Sequence, residues 1–281
     1  MTNREIYDRV CARASRDATR AYSTSFSLSI TLLHRRFRPH IYAIYGFVRF
    51  ADEIVDTFHE QPQEELLAAF AADTYRAIVR RHSMHPILHS FQQVVHACHI
   101  EPELINAFLG SMQMDLRRSA HDPGSLDAYV LGSAEVVGLM CLRVFVENDE
   151  KAYAALKEPA RRLGSAFQKV NFLRDLAQDA RELGRSYFPG VDPLRMTELQ
   201  KRIIERGIEA ELDAAREGIA RLPKGAREGV RMAYQYYRSL LKRIQDTPPE
   251  ELLHQRTRVP ARQKLRLLLG AHLRRQVGLS A

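Results

Sequence analysis

No run of 18 consecutive apolar residues occurs in this 281-residue sequence, so it announces no membrane-spanning helix. The start, MTNREIYDRVCARASRD, is charged and lacks the apolar core of a secretory signal. Cysteine is scarce: Cys11, Cys98 and Cys141 form an odd set with no metal-ligand spacing. Their apolar neighbours read as buried free thiols in a reducing, cytoplasmic compartment. Zinc-finger, glycine-rich and RNA-binding signatures are all missing. The formal net charge of +8 therefore does not call for a nucleic-acid partner. It points instead to anionic substrates, or to peripheral contact with the inner face of a membrane. No segment alternates like a strand, no repeat is found, and no low-complexity linker divides the chain. The expectation is one all-α domain over residues 1–281, long enough to bury a sizeable core.

What is present is a polar stripe in an apolar setting. Over Phe167 to Pro189 the apolar spacing predicts a helix ending near Gly184. Gln168, Asn171, Asp175 and Asp179 fall at steps of three, four and four, on one face of that helix. Two carboxylates one turn apart lie roughly 6 Å apart along the axis and repel each other. A hard divalent cation with oxygen ligands relieves that repulsion. Tyr42 to Phe58 repeats the arrangement, with Asp52 and Asp56 at the same spacing and Arg49 one turn earlier. A lone pair of this kind is usually a solvated face. Two pairs set among Phe, Leu, Ile and Val, each with an arginine nearby (Arg49, Arg174), are not. Facing each other in a bundle, they would form an acidic cavity for magnesium and a phosphate ester or diphosphate.

The remaining elements follow in order. Residues 2–20 read as an amphipathic helix, interrupted by the hydroxyl-rich Tyr22 to Ser29, which suits a helix cap or a phosphate contact equally. The series His82, His85, His89, His96 and His99 has no acidic or cysteine partner at zinc spacing and reads as scattered surface and core histidines. A helix from Glu101–Pro102 to about Arg118 carries Met112, Met114 and Asp115; its methionines are core filler or the wall of a greasy tunnel. Asp122–Pro123–Gly124 reads as a turn, and Leu126 to Val146 as the most apolar helix. Met196 to Leu222 reads as a charged helix with a mostly solvated face, and Lys224 to Asp246 as the next. The tail from His254 to Arg275 is rich in arginine. Its Leu265, Leu267, Leu268 and Leu269 make an amphipathic segment suited to a membrane interface.

With these motifs in view, the chain resembles the squalene/phytoene synthase family. The family pattern Gln-x-x-Asn-x-x-Arg-Asp-x-x-x-Asp, then Gly-Arg-x-Tyr-x-Pro, stands here as Gln168, Asn171, Arg174, Asp175 and Asp179, then Gly184, Arg185, Tyr187 and Pro189. The first motif stands as Tyr45, Arg49, Asp52 and Asp56, and an upstream Ser-x-Ser-Phe as Ser23, Ser25 and Phe26. The resemblance runs from about residue 15 to about 270. It implies an isoprenoid-synthase-type helical bundle around a central cavity. It also implies head-to-head condensation of two prenyl diphosphates. Asp52, Asp56, Asn171, Asp175 and Asp179 would hold Mg2+, with Mn2+ as a substitute. Tyr22, Ser23, Thr24, Ser25, Tyr45, Arg49, Gln168, Arg174, Tyr187 and Arg256 would bind substrate, and Arg49 and Tyr237 would join the aspartates in catalysis.

The chain departs from the family in its apolar helix. Many members read Tyr-x-Tyr-x-x-Ala-Gly-x-Val-Gly, whereas here Leu131 takes the second aromatic position and Glu135 stands where glycine is common. That departure bears on the fine mechanism and product. Two geranylgeranyl diphosphates would give phytoene, as in carotenoid biosynthesis. Two farnesyl diphosphates would give squalene if NADPH reduces the intermediate, or dehydrosqualene if it does not. The sequence has neither a dinucleotide fingerprint nor the C-terminal anchor of eukaryotic squalene synthases, and phytoene synthesis is the favoured expectation. One alternative is a non-catalytic relative acting in assembly, a role usually accompanied by loss of motif aspartates. Another is a cyclase acting on one diphosphate.

Overall fold

Helix starts are written locally. Thr2 with Glu5, Asp122 with Ser125 and Thr197 with Gln200 form reciprocal capping boxes, and the Asp149 side chain accepts from the Ala152 N–H. The computed structural model describes residues 1–117 and 120–277, and among these the chain has no strand, only an isolated bridge between Ala120 and Ser186. The helices are α1 (Asn3–Tyr22), α2 (Thr24–Leu32), α3 (Arg38–Asp56), α4 (Gln63–Arg80), α5 (Pro86–Ala97), α6 (Pro102–Arg117) and α7 (Pro123–Val130). A π-turn over Leu131–Glu135 joins α7 to α8 (Val136–Val146). There follow α9 (Glu150–Arg174), α10 (Leu176–Arg181), α11 (Glu198–Arg221), α12 (Lys224–Gln245), α13 (Pro249–Leu252) and α14 (Ala261–Val277). The all-α isoprenoid-synthase bundle is the observed fold. Arg118, the expected end of α6, the side chain of Arg275 and residues 278–281 lie outside the described residues.

Two apolar clusters flank a central space. One gathers α3, α5, α6 and α8 around Phe47, whose ring stacks on Phe91 at 3.9 Å and meets Phe108 at 5.2 Å. The other joins α9, α11, α12 and the loop after α10, where Phe172 stacks on Tyr187 at 3.9 Å. Aromatic pairs of this kind add about 0.5–1.5 kcal/mol beyond their buried area.

Close backbone approach holds the wall between the clusters. A Cβ on Gly164 of α9 would stand 2.6 Å from the Ala134 carbonyl oxygen, and one on Gly132 would stand 2.4 Å from that of Ala107 in α6. On α11, Gly218 packs on Pro159, inside α9. Proline supplies no N–H to the carbonyl four residues earlier. Here the guanidinium of Arg221 donates to that carbonyl, of Ala155.

Several expectations change. The stretch after Phe167 is not one helix to Gly184. The backbone leaves helical values at Asp175 (φ −100°, ψ 9°), α10 ends at Arg181, and Gly184 takes φ +63°. The stripe is thus split between two helices that meet at Asp175. Asp122–Pro123–Gly124 is no free turn: Asp122 caps α7, and Pro123 takes a first-turn position where its missing N–H costs nothing. The helix expected over Leu126 to Val146 starts there and contains the π-turn. This rod, Pro123–Val146, is long and apolar enough to cross a bilayer, contrary to the strict-run expectation. However, 61% of its most apolar window is buried inside the bundle, as for a core helix. On α11, expected to be mostly solvated, Lys201 and Glu205 are buried and paired at 2.6 Å. The histidines are not all scattered: His89, fully buried, pairs with Asp8 at 2.7 Å and meets the Tyr7 and His82 rings.

Replacing Gly164 by alanine forces a methyl against a backbone carbonyl. The expected cost is about 1–3 kcal/mol, seen as a lower melting temperature by circular dichroism. An unchanged melting temperature would contradict the close approach.

Candidate active site

Between the two clusters lies a cavity of about 680 Å³. One end is charged. Helix α3 brings Arg49, Asp52 and Asp56 to its wall; α9 brings Gln168, Asn171 and Arg174; the junction and α10 bring Asp175 and Asp179. The rest is apolar, with Leu142 and Phe145 of α8, Leu156 of α9, and Ile219 of α11. The two aspartate pairs, more than 100 residues apart in sequence, do face one cavity.

Arginines neutralise part of the charge. Arg185 donates to Asp56 at 2.8 Å, and Arg256 reaches Asp175 at 2.5 Å. Arg174 also binds Asp175, through Nε at 3.0 Å. Arg49 pairs with Glu53 and lies over the Tyr22 ring, 4.4 Å from its centroid. The remaining carboxylates are in deficit. Burial, then the neighbouring Asp56, pushes Asp52 up to about 7. Burial, then Asp175, pushes Asp179 up to about 7. Asp115 is also raised to about 7 by burial, although Arg185 opposes the shift.

Polar atoms in this wall lack protein partners. Asp115 Oδ1, Arg49 Nε and Ser133 Oγ are buried without a hydrogen bond, and all three residues line the cavity. Among the described residues, no three His, Cys, Asp or Glu side chains converge ready-made on one point. A cation-poor cluster of raised carboxylates still suits a divalent ion chemically.

The squalene/phytoene synthase family model matches residues 19–263, most of the chain. The chain belongs to the squalene/phytoene synthase family. Members of this family are prenyltransferases. The chain is 27% identical to a bifunctional lycopene cyclase/phytoene synthase of Blakeslea trispora over 89% of its own length, but spans only 47% of that larger protein. It is likewise 27% identical to a presqualene diphosphate synthase of Rhodopseudomonas palustris, over 79% of this chain and 84% of the relative. The fold matches a ligand-bound crystal structure of a dehydrosqualene synthase with a TM-score of 0.80 at 20% identity, over 96% and 98% of the two chains.

Most family positions reach the cavity. Tyr22, Ser23, Tyr45, Tyr187, Tyr237 and Arg256 line it with the residues named above. The Tyr237 hydroxyl donates to Asn171 Oδ1 at 3.2 Å, and its ring stacks on Phe167. Burial pushes Tyr45 up to about 12. Thr24 and Ser25 do not line the cavity. Ser23 is the cap of α2, accepting from the Phe26 N–H, and the Thr24 hydroxyl accepts from Lys264. Leu131 and Glu135 also lie off the wall: Leu131 is 36% exposed, and Glu135 pairs with Arg161 at 2.6 Å.

Three partners were not foreseen. Asp115 lies in the helix whose methionines read as core filler or as a greasy tunnel wall; it accepts from the Tyr129 hydroxyl at 2.8 Å. Arg185 was visible only as a motif letter, and its pairing with Asp56 spans 129 positions. Glu53, partner of Arg49, shares the helical i, i+4 spacing and was readable on that ground.

The raised groups set a pH dependence. Asp52, Asp115 and Asp179 titrate near 7 when folded and near 3.8 when unfolded. Between these values the folded chain binds more protons, so their contribution to stability falls as pH rises through the window. Without divalent cation, Asp179→Asn is expected to raise the melting temperature more at pH 8 than at pH 5. Calorimetry showing the opposite order would contradict the assignment.

Proposed function

We propose that this chain joins two prenyl diphosphates head to head, specifically two geranylgeranyl diphosphates to phytoene through a cyclopropyl diphosphate intermediate. The observation that carries the reading is the division of one cavity into an arginine–aspartate end and a long apolar end. Arg174, Arg185 and Arg256 supply planar forks that suit phosphate oxygens in pairs. Gln168 and Arg49 complete the polar grip. Asp52, Asp56, Asn171, Asp175 and Asp179 would hold Mg2+ or Mn2+. Such an ion supplies charge neutralisation to the leaving diphosphate. The apolar wall excludes water from the reacting carbons. Small residues in the lining, among them Ala160, Ala215 and Ala233, support a reading in which the cavity takes a twenty-carbon chain.

Equal identity to a presqualene diphosphate synthase supports a second reading, in which farnesyl diphosphate is the substrate. NADPH belongs to this reading only if squalene is the product. All four motif aspartates are present, against an assembly role without catalysis. The unpaired cysteines support action in the reducing cytoplasm. Peripheral membrane contact would suit an apolar product. On α14, Leu265 and Leu269 are exposed while Leu267 and Leu268 pack against Leu32 and Met232.

Incubation with Mg2+ and each prenyl diphosphate, with and without NADPH, tests the reading by the mass of the hydrocarbon. A C40 product from geranylgeranyl diphosphate without NADPH is expected. A C30 product from farnesyl diphosphate moves the chain to the second reading. Absence of Mg2+-dependent diphosphate release defeats both. Asp175→Asn is expected to lower turnover by about a hundredfold or more.

A further inference from the structure

We propose that Gly229 is a specificity-determining residue. Lacking a side chain, it leaves a recess for Leu33, and that recess sets how deep the cavity runs and how long a prenyl chain it takes. The inference rests on the cavity being a prenyl diphosphate site, and adds to that reading the selection of chain length. Both residues line the cavity and both are buried, Leu33 to 3% exposure.

The level of the pair follows from the helices that lead away from the aspartates. Helix α2 starts beside the charged end: its cap Ser23 hydrogen-bonds Tyr45, and the Arg49 guanidinium lies over the Tyr22 ring. On α12 the Tyr237 hydroxyl meets Asn171 at that same end. Lys264 ties the two helices there from outside, donating to Thr24 at 3.3 Å and lying over the Tyr236 ring. From that level Leu33 is about 15 Å along α2, and Gly229 is about 12 Å back along α12. The two helices therefore run antiparallel, and Leu33 meets Gly229 deep on the apolar side. Phe145, Leu156 and Leu222 of the apolar wall share one packed cluster with Leu33.

A Cβ on Gly229 would stand 2.3 Å from Leu33 Cδ2, 2.7 Å from its Cγ and 2.9 Å from the Ser29 carbonyl oxygen. The leucine side chain thus occupies the place that a side chain at 229 would take. Its backbone is pinned on both sides. The Leu33 N–H donates to Ile30, the Leu33 carbonyl accepts from Arg38 Nε at 2.9 Å, and the next N–H, of His34, donates to the Gly225 carbonyl at 2.7 Å. The neighbouring core is filled: Phe37, 2% exposed, meets Phe145 edge to face at 5.8 Å. Interiors packed to native density hold no spare volume for an isobutyl group. A Leu33 side chain driven off Gly229 therefore turns into the cavity, the unfilled space that it borders.

A prenyl chain carries no hydrogen-bonding group, so a site reads its length by where the apolar wall stops. Geranylgeranyl and farnesyl groups differ by one five-carbon unit, at the end far from the diphosphate. With Leu33 recessed against Gly229, that end of the cavity stays open. With Leu33 turned inward the floor rises, and the longer chain is excluded before the shorter one. An isobutyl group has nearly the bulk of a five-carbon unit, so a single rotation of Leu33 is a displacement of the size that discriminates the two.

The test titrates unreactive thiolo-diphosphate analogues of fifteen-, twenty- and twenty-five-carbon prenyl chains into the intact chain with Mg2+, by calorimetry. Diphosphate release from the substrates themselves is measured alongside. Gly229→Ala is expected to lower the affinity for the twenty-carbon analogue, relative to the fifteen-carbon one, by about tenfold or more. The double variant Gly229→Ala with Leu33→Ala removes the two shortest contacts and should restore the wild-type ratio. Leu33→Ala alone deepens the cavity and should raise the affinity for the twenty-five-carbon analogue, relative to the twenty-carbon one, by about tenfold. A wild-type ratio in Gly229→Ala overturns the proposal. So does a lowered ratio that the double variant leaves unrestored, which places the effect in the contact with Ser29. Should Gly229→Ala fail to fold, Leu33→Ala decides, and a wild-type ratio there overturns it. Wild type that binds the analogues but releases no diphosphate defeats the head-to-head reading, while the affinity ratios still decide this inference. Wild type that binds none of the analogues defeats both.

Discussion

The arrangement depends on a charge imbalance buried at one end of an apolar cavity. Four motif aspartates and Asp115 line it from α3, α6, the α9–α10 junction and α10, and the four arginines in the same wall are one fewer than these five carboxylates. Arg185 holds Asp56, while Arg174 and Arg256 hold Asp175. Burial first, and then the negative charge of Asp56 and Asp175, drives Asp52 and Asp179 toward neutrality. An isolated buried carboxylate is costly, and proteins avoid it unless a partner arrives. A proton or a bound cation relieves that cost, and the arginines beside these carboxylates are suited to phosphate oxygens. The same imbalance underlies the proposal that cation and diphosphate bind together.

The fold keeps this imbalance from collapsing. Phe47 and its stacked neighbours lock α3 on one side; Phe172 on Tyr187 locks α9 and the loop after α10 on the other. Glycines let α6, the π-turn and α9 touch backbone to backbone, so the wall between the clusters is thin and fixed. Pro159 breaks the hydrogen-bond ladder of α9, and Arg221 repairs it from outside. These devices leave the interior unfilled by side chains. A prenyl chain needs such a space, and the charged end gives it direction.

Much of the site was legible before the structure. Asp52, Asp56, Asp175 and Asp179 stood out because paired charges at helical spacing, set among large apolar residues, do not fit a solvated face. Their convergence on one cavity could be inferred from matching pairs. The break at Asp175 could not, because no glycine or proline marks it; its carboxylate binds Arg256 from 81 positions away. Asp115 was hidden for a related reason. One carboxylate in a helix of mixed residues has no period, and its meaning comes from Tyr129 and Arg185, which only the fold brings near. Thr24 and Ser25, expected to bind substrate, follow Ser23 into the first turn of α2 and do not line the cavity. Leu131 and Glu135 stand out in the sequence as departures, while Ser133 and Ala134 are the residues of that turn that line the cavity.

The central claim is that cation and diphosphate are bound as one unit by the aspartate–arginine end. Titration calorimetry of inorganic diphosphate into the intact chain, with and without Mg2+, addresses it most directly. The account predicts an affinity at least about tenfold higher with Mg2+, a coupling of roughly 1.4 kcal/mol or more. Equal affinity with and without the ion would contradict it.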